Sequence, residues 1–267
     1  MRAFAYHKPN SVPEAVALLA NGGDSRPIAG GMSLLPTMKQ RLAAPGGLID
    51  LSGIAALKGI SADAGAITVG AMTRHVDVAR SSAIAKALPA LAQLAGSIGD
   101  PAVRNRGTIG GSLANNDPAA DYPAAVLALG ATIVTNTREI HADHFFRGMF
   151  ETALEPGELI TAVKLPIPAA AGYAKVPNMA SRFALVGVFV AKFPTGVRVA
   201  VTGAGPAVFR VPAFEAALAK RFEPAAVNGH GVDPAGLNSD IHAEAAFRAH
   251  LINVMARRAV AAAKADA

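Results

Sequence analysis

The chain changes its pattern of predicted secondary structure at two closely spaced prolines, Pro166 and Pro168. Before these prolines, short apolar segments typical of strands alternate with segments of helical periodicity. After them, three strand-like segments follow one another before the last two helical segments. This change favours an α+β fold that ends in an antiparallel three-stranded sheet with helices. We expect a boundary near residue 168 and a further division near residue 57, which gives domains at 1–57, 58–168 and 169–267.

The single elements follow from apolar spacing and from turn residues. Ser11, with Glu14 three positions later, is typical of a helix N-terminus. Residues 98–106 are predicted to be irregular, because Gly-Asp-Pro at 99–101 signals a turn. The predicted helices cover residues 11–20, 34–41, 73–79, 83–95 with a break at Pro89, 123–129, 212–220 and 240–263. The predicted strands cover residues 26–29, 48–51, 67–71, 132–135, 158–164, 173–176, 183–192 and 197–202.

Composition narrows the classes of function. The 267 residues contain no cysteine, so the chain has no disulfide, no thiol nucleophile and no cysteine-ligated zinc or iron–sulfur cluster of its own. No apolar run reaches the roughly 18 residues of a membrane span. The N-terminus lacks the apolar core of a signal peptide, so we expect a cytoplasmic protein.

The net charge of +6 fits an anionic cofactor or an acidic partner surface. Basic residues are scattered, and aromatic residues make up 5% with no tryptophan, so we do not expect nucleic-acid binding. No Walker-type phosphate loop is present. His141 and His144 have helical spacing, but two histidines are a weak metal motif, and we predict no metal site.

Two glycine pairs carry the functional argument. In PIAGGMSLLP at 27–36, a predicted strand leads into Gly30 and Gly31, then Ser33 and a helix start. Glycine allows a positive φ and close approach of the backbone, and successive N–H groups in such a turn can face one anionic group. An ordinary tight turn between a strand and a helix is the alternative.

The second pair lies about 80 residues later, in RNRGTIGGSLANNDPAADYP at 104–123. Here Gly110 and Gly111 are followed by a cluster of polar residues that includes Asp117 and Asp121. Such density is unusual in a chain with 16% charged residues. Two turns of this kind could hold the two phosphates of one extended dinucleotide.

These motifs closely resemble the FAD-binding medium subunit of the molybdenum hydroxylases, the family of carbon monoxide dehydrogenase and xanthine dehydrogenase. ITVGAMTRHVDV at 67–78 and the segments NSDIH at 238–242 and FRAH at 247–250 extend the resemblance over nearly the whole chain. The resemblance implies a PCMH-type flavin fold, with two α/β subdomains that hold FAD ahead of the C-terminal sheet. It also implies an oxidoreductase subunit.

The resemblance further implies where FAD binds. Backbone amides of the two glycine turns would hold its pyrophosphate and ribityl parts, Asp121 would contact the adenosine portion or neighbouring polar groups, and Lys175 would lie near the flavin or its phosphates. Met32 and Ser112 depart from the residues that the family often has there. The expected cofactor-binding residues are Ala29, Gly30, Gly31, Met32, Ser33, Leu34, Thr108, Ile109, Gly110, Gly111, Ser112, Asp117, Asp121, Ile160 and Lys175. No catalytic acid or base is expected on this chain.

The resemblance also implies partners. Electrons would come from a large molybdopterin-binding subunit through a small 2Fe–2S subunit to FAD on this chain, and then pass to an external acceptor. The assembly would be a dimer of heterotrimers. The alternatives are a stand-alone FAD-dependent oxidoreductase and an assembly or scaffold protein that has lost FAD.

Overall fold

A computed structural model describes residues 1–265 of the chain. Its N-terminal part is a three-stranded parallel sheet of order β1-β3-β2 with two helices. The Ser11 hydroxyl accepts a hydrogen bond from Glu14 N, which confirms the predicted N-terminus of the first helix. The elements are β1 (Ala5–His7), α1 (Val12–Asn21), β2 (Ser25–Ile28), α2 (Leu34–Lys39) and β3 (Gly47–Asp50).

The middle part is a five-stranded antiparallel sheet of order β4-β5-β10-β6-β7 with six helices and a small hairpin. Its strands are β4 (Ile60–Ala62), β5 (Ala66–Gly70), β6 (Thr132–Thr135), β7 (Glu139–His141), β8 (Phe146–Gly148), β9 (Glu151–Thr152) and β10 (Ile160–Pro166). Its helices are α3 (His75–Arg80), α4 (Ser82–Ala87), α5 (Pro89–Ser97), α6 (Pro101–Arg106), α7 (Ile109–Asn115) and α8 (Tyr122–Ala128).

The C-terminal part contains the three predicted antiparallel strands and a two-residue fourth strand at the edge. Its central strand is buried on both faces, since Phe189 packs toward the middle part while Val188 and Val190 pack toward the helices. That arrangement explains the unbroken apolar sequence of this strand. The elements are β11 (Ala170–Pro177), β12 (Ala184–Phe193), β13 (Gly196–Thr202), β14 (Phe209–Arg210), α9 (Pro212–Lys220) and α10 (Ala245–Ala265).

Apolar contacts join these parts. Met72 and Leu159 of the middle part pack into the cluster under the N-terminal sheet, around Ile49 and Ile54. Two predictions of local structure were wrong. Residues 101–106 form helix α6, because Asp100 caps it through Val103 N at 2.8 Å and Pro101 takes the first helical position. The last helix begins at Ala245 rather than near 240.

Candidate functional site

The first glycine turn leaves a row of backbone donors free. Gly31 has φ +73°, which reverses the chain between β2 and α2. Ser33 precedes the helix but makes no side-chain cap. Within residues 1–265 the backbone N–H groups at positions 30–34 donate no hydrogen bond. Successive free N–H groups of this kind can bind an anion.

The second glycine turn is the first turn of helix α7, and its amides are already engaged. Ile109 N and Gly110 N donate to the carbonyls of Thr73 and Ala71, at 3.1 and 2.9 Å. The hydroxyl of Thr108, the N-cap residue, accepts from Gly111 N at 3.2 Å. Ser112 N donates to the Thr108 carbonyl. This turn can therefore offer a ligand the Ser112 side chain and its backbone surface rather than free amides.

The two turns lie against each other. A Cβ on Gly30 would come within 2.3 Å of the Arg106 carbonyl oxygen, and a Cβ on Gly111 would come within 3.3 Å of the Ala29 Cβ. Gly110 has equally little space around it, because a Cβ added there would lie 2.5 Å from the Ala71 Cβ. The glycines therefore allow the two turns and the sheet to approach one another closely.

A buried polar cluster surrounds Asp121. Tyr173 Oη and Lys175 Nζ both donate to Asp121 Oδ1, at 2.6 and 2.8 Å. The Lys175 ammonium also donates to the carbonyls of Ser97 and Arg182. Burial raises the pKa of the Asp121 carboxyl, while the Lys175 charge and the Tyr173 hydroxyl oppose that rise. The second oxygen, Asp121 Oδ2, is buried and has no partner among the described residues.

Sequence reasoning assigned no role to two further residues, His75 and Tyr122. Their rings are 5.3 Å apart, and His75 Nδ1 and Tyr122 Oη are buried without hydrogen-bond partners in the described part of the chain. Burial and the nearby Arg104 charge lower the pKa of His75 to about 4. His75 also packs against Gly107, where a Cβ would lie 2.5 Å from Nε2. His75 has Arg74 and Asp77 near it in the sequence, and Tyr122 directly follows Asp121, so neither residue stands out in the sequence as buried.

The remaining predicted residues lie around these groups. Asp117 Oδ1 accepts from Ala119 N at 2.9 Å and so shapes the turn that leads to Asp121. Ile160 is buried at the start of β10, next to Thr161, whose carbonyl accepts from Ala71 N. Met32 is partly exposed on the first turn.

The donor set fits an extended, anionic dinucleotide. Free amides of the first turn suit a pyrophosphate. Asp121 Oδ2, as an unpaired acceptor, suits a hydroxyl or N–H donor of the ligand, because a buried unpaired oxygen costs free energy. A series of contacts joins the first turn to the neighbourhood of Asp121. Gly30 lies against Gly107, Gly107 lies against His75, and the His75 ring contacts Tyr122, the residue after Asp121.

His141, one of the two histidines with helical spacing, lies beside an ion pair. Asp143 Oδ1 lies 2.5 Å from Arg198 Nη2, and His141 is 3.5 Å from the same carboxylate. The described residues contain no group of three or more acidic, histidine or cysteine side chains placed to hold a metal ion. None of the described helices combines the length and apolar character that crossing a membrane requires.

Comparison with known proteins gives consistent matches. The family described as "FAD binding domain in molybdopterin dehydrogenase" matches residues 2–168. The carbon monoxide dehydrogenase medium chain of Afipia carboxidovorans is 36% identical, over 99% of this chain and 98% of that protein. The nicotine 6-hydroxylase medium subunit of Paenarthrobacter nicotinovorans is also 36% identical, over 97% of this chain and 96% of that protein.

A solved structure shares the whole architecture. The reconstituted CO dehydrogenase from Oligotropha carboxidovorans superposes with a TM-score of 0.91 at 33% identity, covering 100% of this chain and 99% of the matched chain. The predicted mixed fold, the cofactor FAD and the oxidoreductase class are thereby confirmed. The chain belongs to the FAD-binding medium subunits of the molybdenum hydroxylase family.

Proposed function

We propose that this chain holds FAD between its two glycine turns and the Asp121 cluster, and relays electrons from an iron–sulfur subunit to an external acceptor. Two observations carry the proposal: the amides at 30–34 are free, and Asp121 Oδ2 is buried without a partner among the described residues. When bound, FAD supplies the redox chemistry, which no side chain provides alone.

The first turn binds the pyrophosphate through backbone N–H groups from Gly30 to Leu34. Backbone amides stabilise negative charge at fixed geometry and without a titrating group. The second turn, from Thr108 to Ser112, contributes a closely packed surface, and the Ser112 hydroxyl adds a donor or acceptor. Met32 is partly exposed on the first turn, where its side chain would be free to contact the cofactor.

The Asp121 cluster orients the other end of FAD. Lys175 and Tyr173 hold Oδ1, so Oδ2 points in a fixed direction and accepts from a cofactor donor. Ile160, which is buried, would supply an apolar contact to the cofactor, and Asp117 fixes the turn that leads to Asp121. The lowered pKa of His75, about 4, keeps its ring neutral at pH 7, so it adds no charge beside Tyr122.

The proposed partner subunits rest on the family to which the chain belongs and on its lack of cysteine. This sequence has no cysteine and therefore no thiolates for an iron–sulfur cluster, so the cluster of the proposed relay lies on another polypeptide. We place this chain with a large molybdopterin-binding subunit and a small 2Fe–2S subunit, as a dimer of heterotrimers in the cytoplasm. We also propose that the domain boundaries lie near residues 57 and 168.

The test compares the chain alone with the chain co-expressed with its partner subunits. Substrates named for the relatives, carbon monoxide and nicotine, serve as first probes. We expect the FAD-loaded chain alone to stay oxidised, and a substrate of the complex to bleach the flavin absorption only when all three subunits are present. Turnover by the isolated chain would favour a stand-alone oxidoreductase, and a chain that never takes up FAD would favour a scaffold protein.

A further inference from the structure

The C-terminal sheet holds the backbone directly before Asp121. Three consecutive carbonyls of the 118–120 segment each accept a hydrogen bond from that sheet. The three bonds are Gly203 N to Pro118 O at 2.8 Å, Ala184 N to Ala119 O at 3.2 Å and Thr202 Oγ1 to Ala120 O at 2.6 Å. The segment is therefore fixed from outside the middle part of the chain.

Thr202 supplies the side-chain contact in this set. It is 1% exposed, and its hydroxyl also lies 3.1 Å from the Pro118 carbonyl oxygen. Within the described residues no other side chain donates to the carbonyls of this segment. A buried carbonyl without a donor is costly, so loss of this hydroxyl favours a shift of the backbone at Ala120, directly before Asp121.

The position of Thr202 is itself fixed by the corner that follows it. Gly203 has φ +83°, and a Cβ there would lie 2.5 Å from the Ala184 carbonyl oxygen. The buried guanidinium of Arg248 donates to the Gly203 carbonyl at 3.0 Å and pairs with Asp240 at 2.8 Å. The end of β13 cannot move without breaking these contacts.

We propose that Thr202 is a positioning residue of the flavin site, whose hydroxyl holds the 118–120 backbone so that Asp121 presents its unpaired oxygen to FAD. The inference rests on the proposed role of Asp121. Thr202, Tyr173 and Lys175 all lie in the C-terminal sheet. Their roles would make that sheet a part of the flavin site, although the family match ends at residue 168.

The test measures the affinity of the 267-residue chain for FAD by flavin fluorescence. Thr202→Val keeps the shape and removes the donor, and we expect it to raise the Kd for FAD about fivefold, the effect of one net hydrogen bond. Thr202→Ser keeps the hydroxyl and should restore the wild-type Kd. Asn253→Ala is the matched control, because Asn253 also donates to two backbone carbonyls of the C-terminal part but away from residues 118–121. An unchanged Kd in Thr202→Val overturns the inference.

A double-mutant cycle with Asp121→Asn shows whether Thr202 affects FAD binding through Asp121 or independently of it. We expect the double variant to bind FAD no more weakly than Asp121→Asn alone, and additive losses would contradict the inference. If wild type fails to bind FAD, the proposed function itself is wrong. If wild type and Asp121→Asn bind equally well, the role of Asp121 is wrong and the inference falls with it. Circular dichroism checks folding, and Thr202→Ala replaces Thr202→Val if the latter does not fold.

Discussion

At the scale of single residues, two glycine pairs that look alike in the sequence have different environments. The amides at 30–34 around the first pair are free, whereas Gly110 N and Gly111 N of the second pair donate to the Ala71 carbonyl and the Thr108 hydroxyl. Gly31 is needed for its positive φ, but Gly30 and Gly110 are needed because neighbouring atoms leave no room for a Cβ. The sequence pattern identifies both turns, but it does not distinguish these two physical reasons.

Substitution of Gly31 tests the first turn. Gly31→Ala places a Cβ at φ +73° and 2.9 Å from Leu35 Cδ1, so the turn must relax and its amides reorient. We expect a loss of stability of about 1 kcal/mol and a Kd for FAD raised at least tenfold. Gly229→Ala is the matched control, since it has φ +78° with nothing within 4 Å and lies outside the site. Equal FAD affinity in the two variants would rule out binding through the first turn.

His75 predicts a specific pH dependence of stability. The pKa of His75 is about 4 in the folded chain, against an ordinary value of 6.5. Between pH 6.5 and pH 4, His75 is therefore protonated in the unfolded chain but not in the folded chain. Stability should therefore fall as the pH drops from about 6.5 to about 4, by up to about 3 kcal/mol from this group. Urea unfolding at a series of pH values measures the slope. His75→Gln should flatten it, and an unchanged slope would show that His75 is not buried in this way.

At the scale of elements, most helices and strands follow from local signals. The Ser11 cap, the break at Pro89 and the apolar run of β12 all act through nearby residues, and the structure confirms them. Gly-Asp-Pro at 99–101 was misread as a turn because the same residues also cap and start a helix. Asp240 stands ahead of the last helix because it bonds to His242 N and Ala243 N and pairs with Arg248. That last contact is tertiary, so periodicity alone cannot show it.

The packing of α10 on β11 supplies a test at this scale. A Cβ on Gly172 would lie 2.0 Å from the Ala259 carbonyl oxygen, so Gly172→Ala must push the helix away from the sheet. We expect a loss of about 1–3 kcal/mol in the free energy of unfolding, as for overpacked cores. Gly65→Ala is the control, because its nearest neighbour would be 4.0 Å away and its φ is not positive. Similar unfolding free energies for the two variants would contradict the close helix–sheet packing.

At the scale of the whole molecule, the site is assembled from distant parts of the chain. Asp121 and Lys175 were each predicted to lie near FAD, but their direct ion pair joins residues 54 positions apart, and no periodic pattern reports such a pairing. Tyr173, Thr202 and His75 were missed for the same reason. The resemblance to a family identified the general function, whereas the way the C-terminal sheet holds Asp121 required the three-dimensional structure.

The most direct measurement is a titration of the flavin-free chain with FAD, following flavin fluorescence and the visible absorption spectrum of the purified complex. We expect one FAD per chain, bound in the micromolar range or tighter, with a binding free energy of about −8 kcal/mol or more favourable. Asp121→Asn and Gly31→Ala should each weaken binding, and Gly229→Ala should not. A folded, colourless chain that takes up no FAD would contradict the proposal that this chain holds FAD.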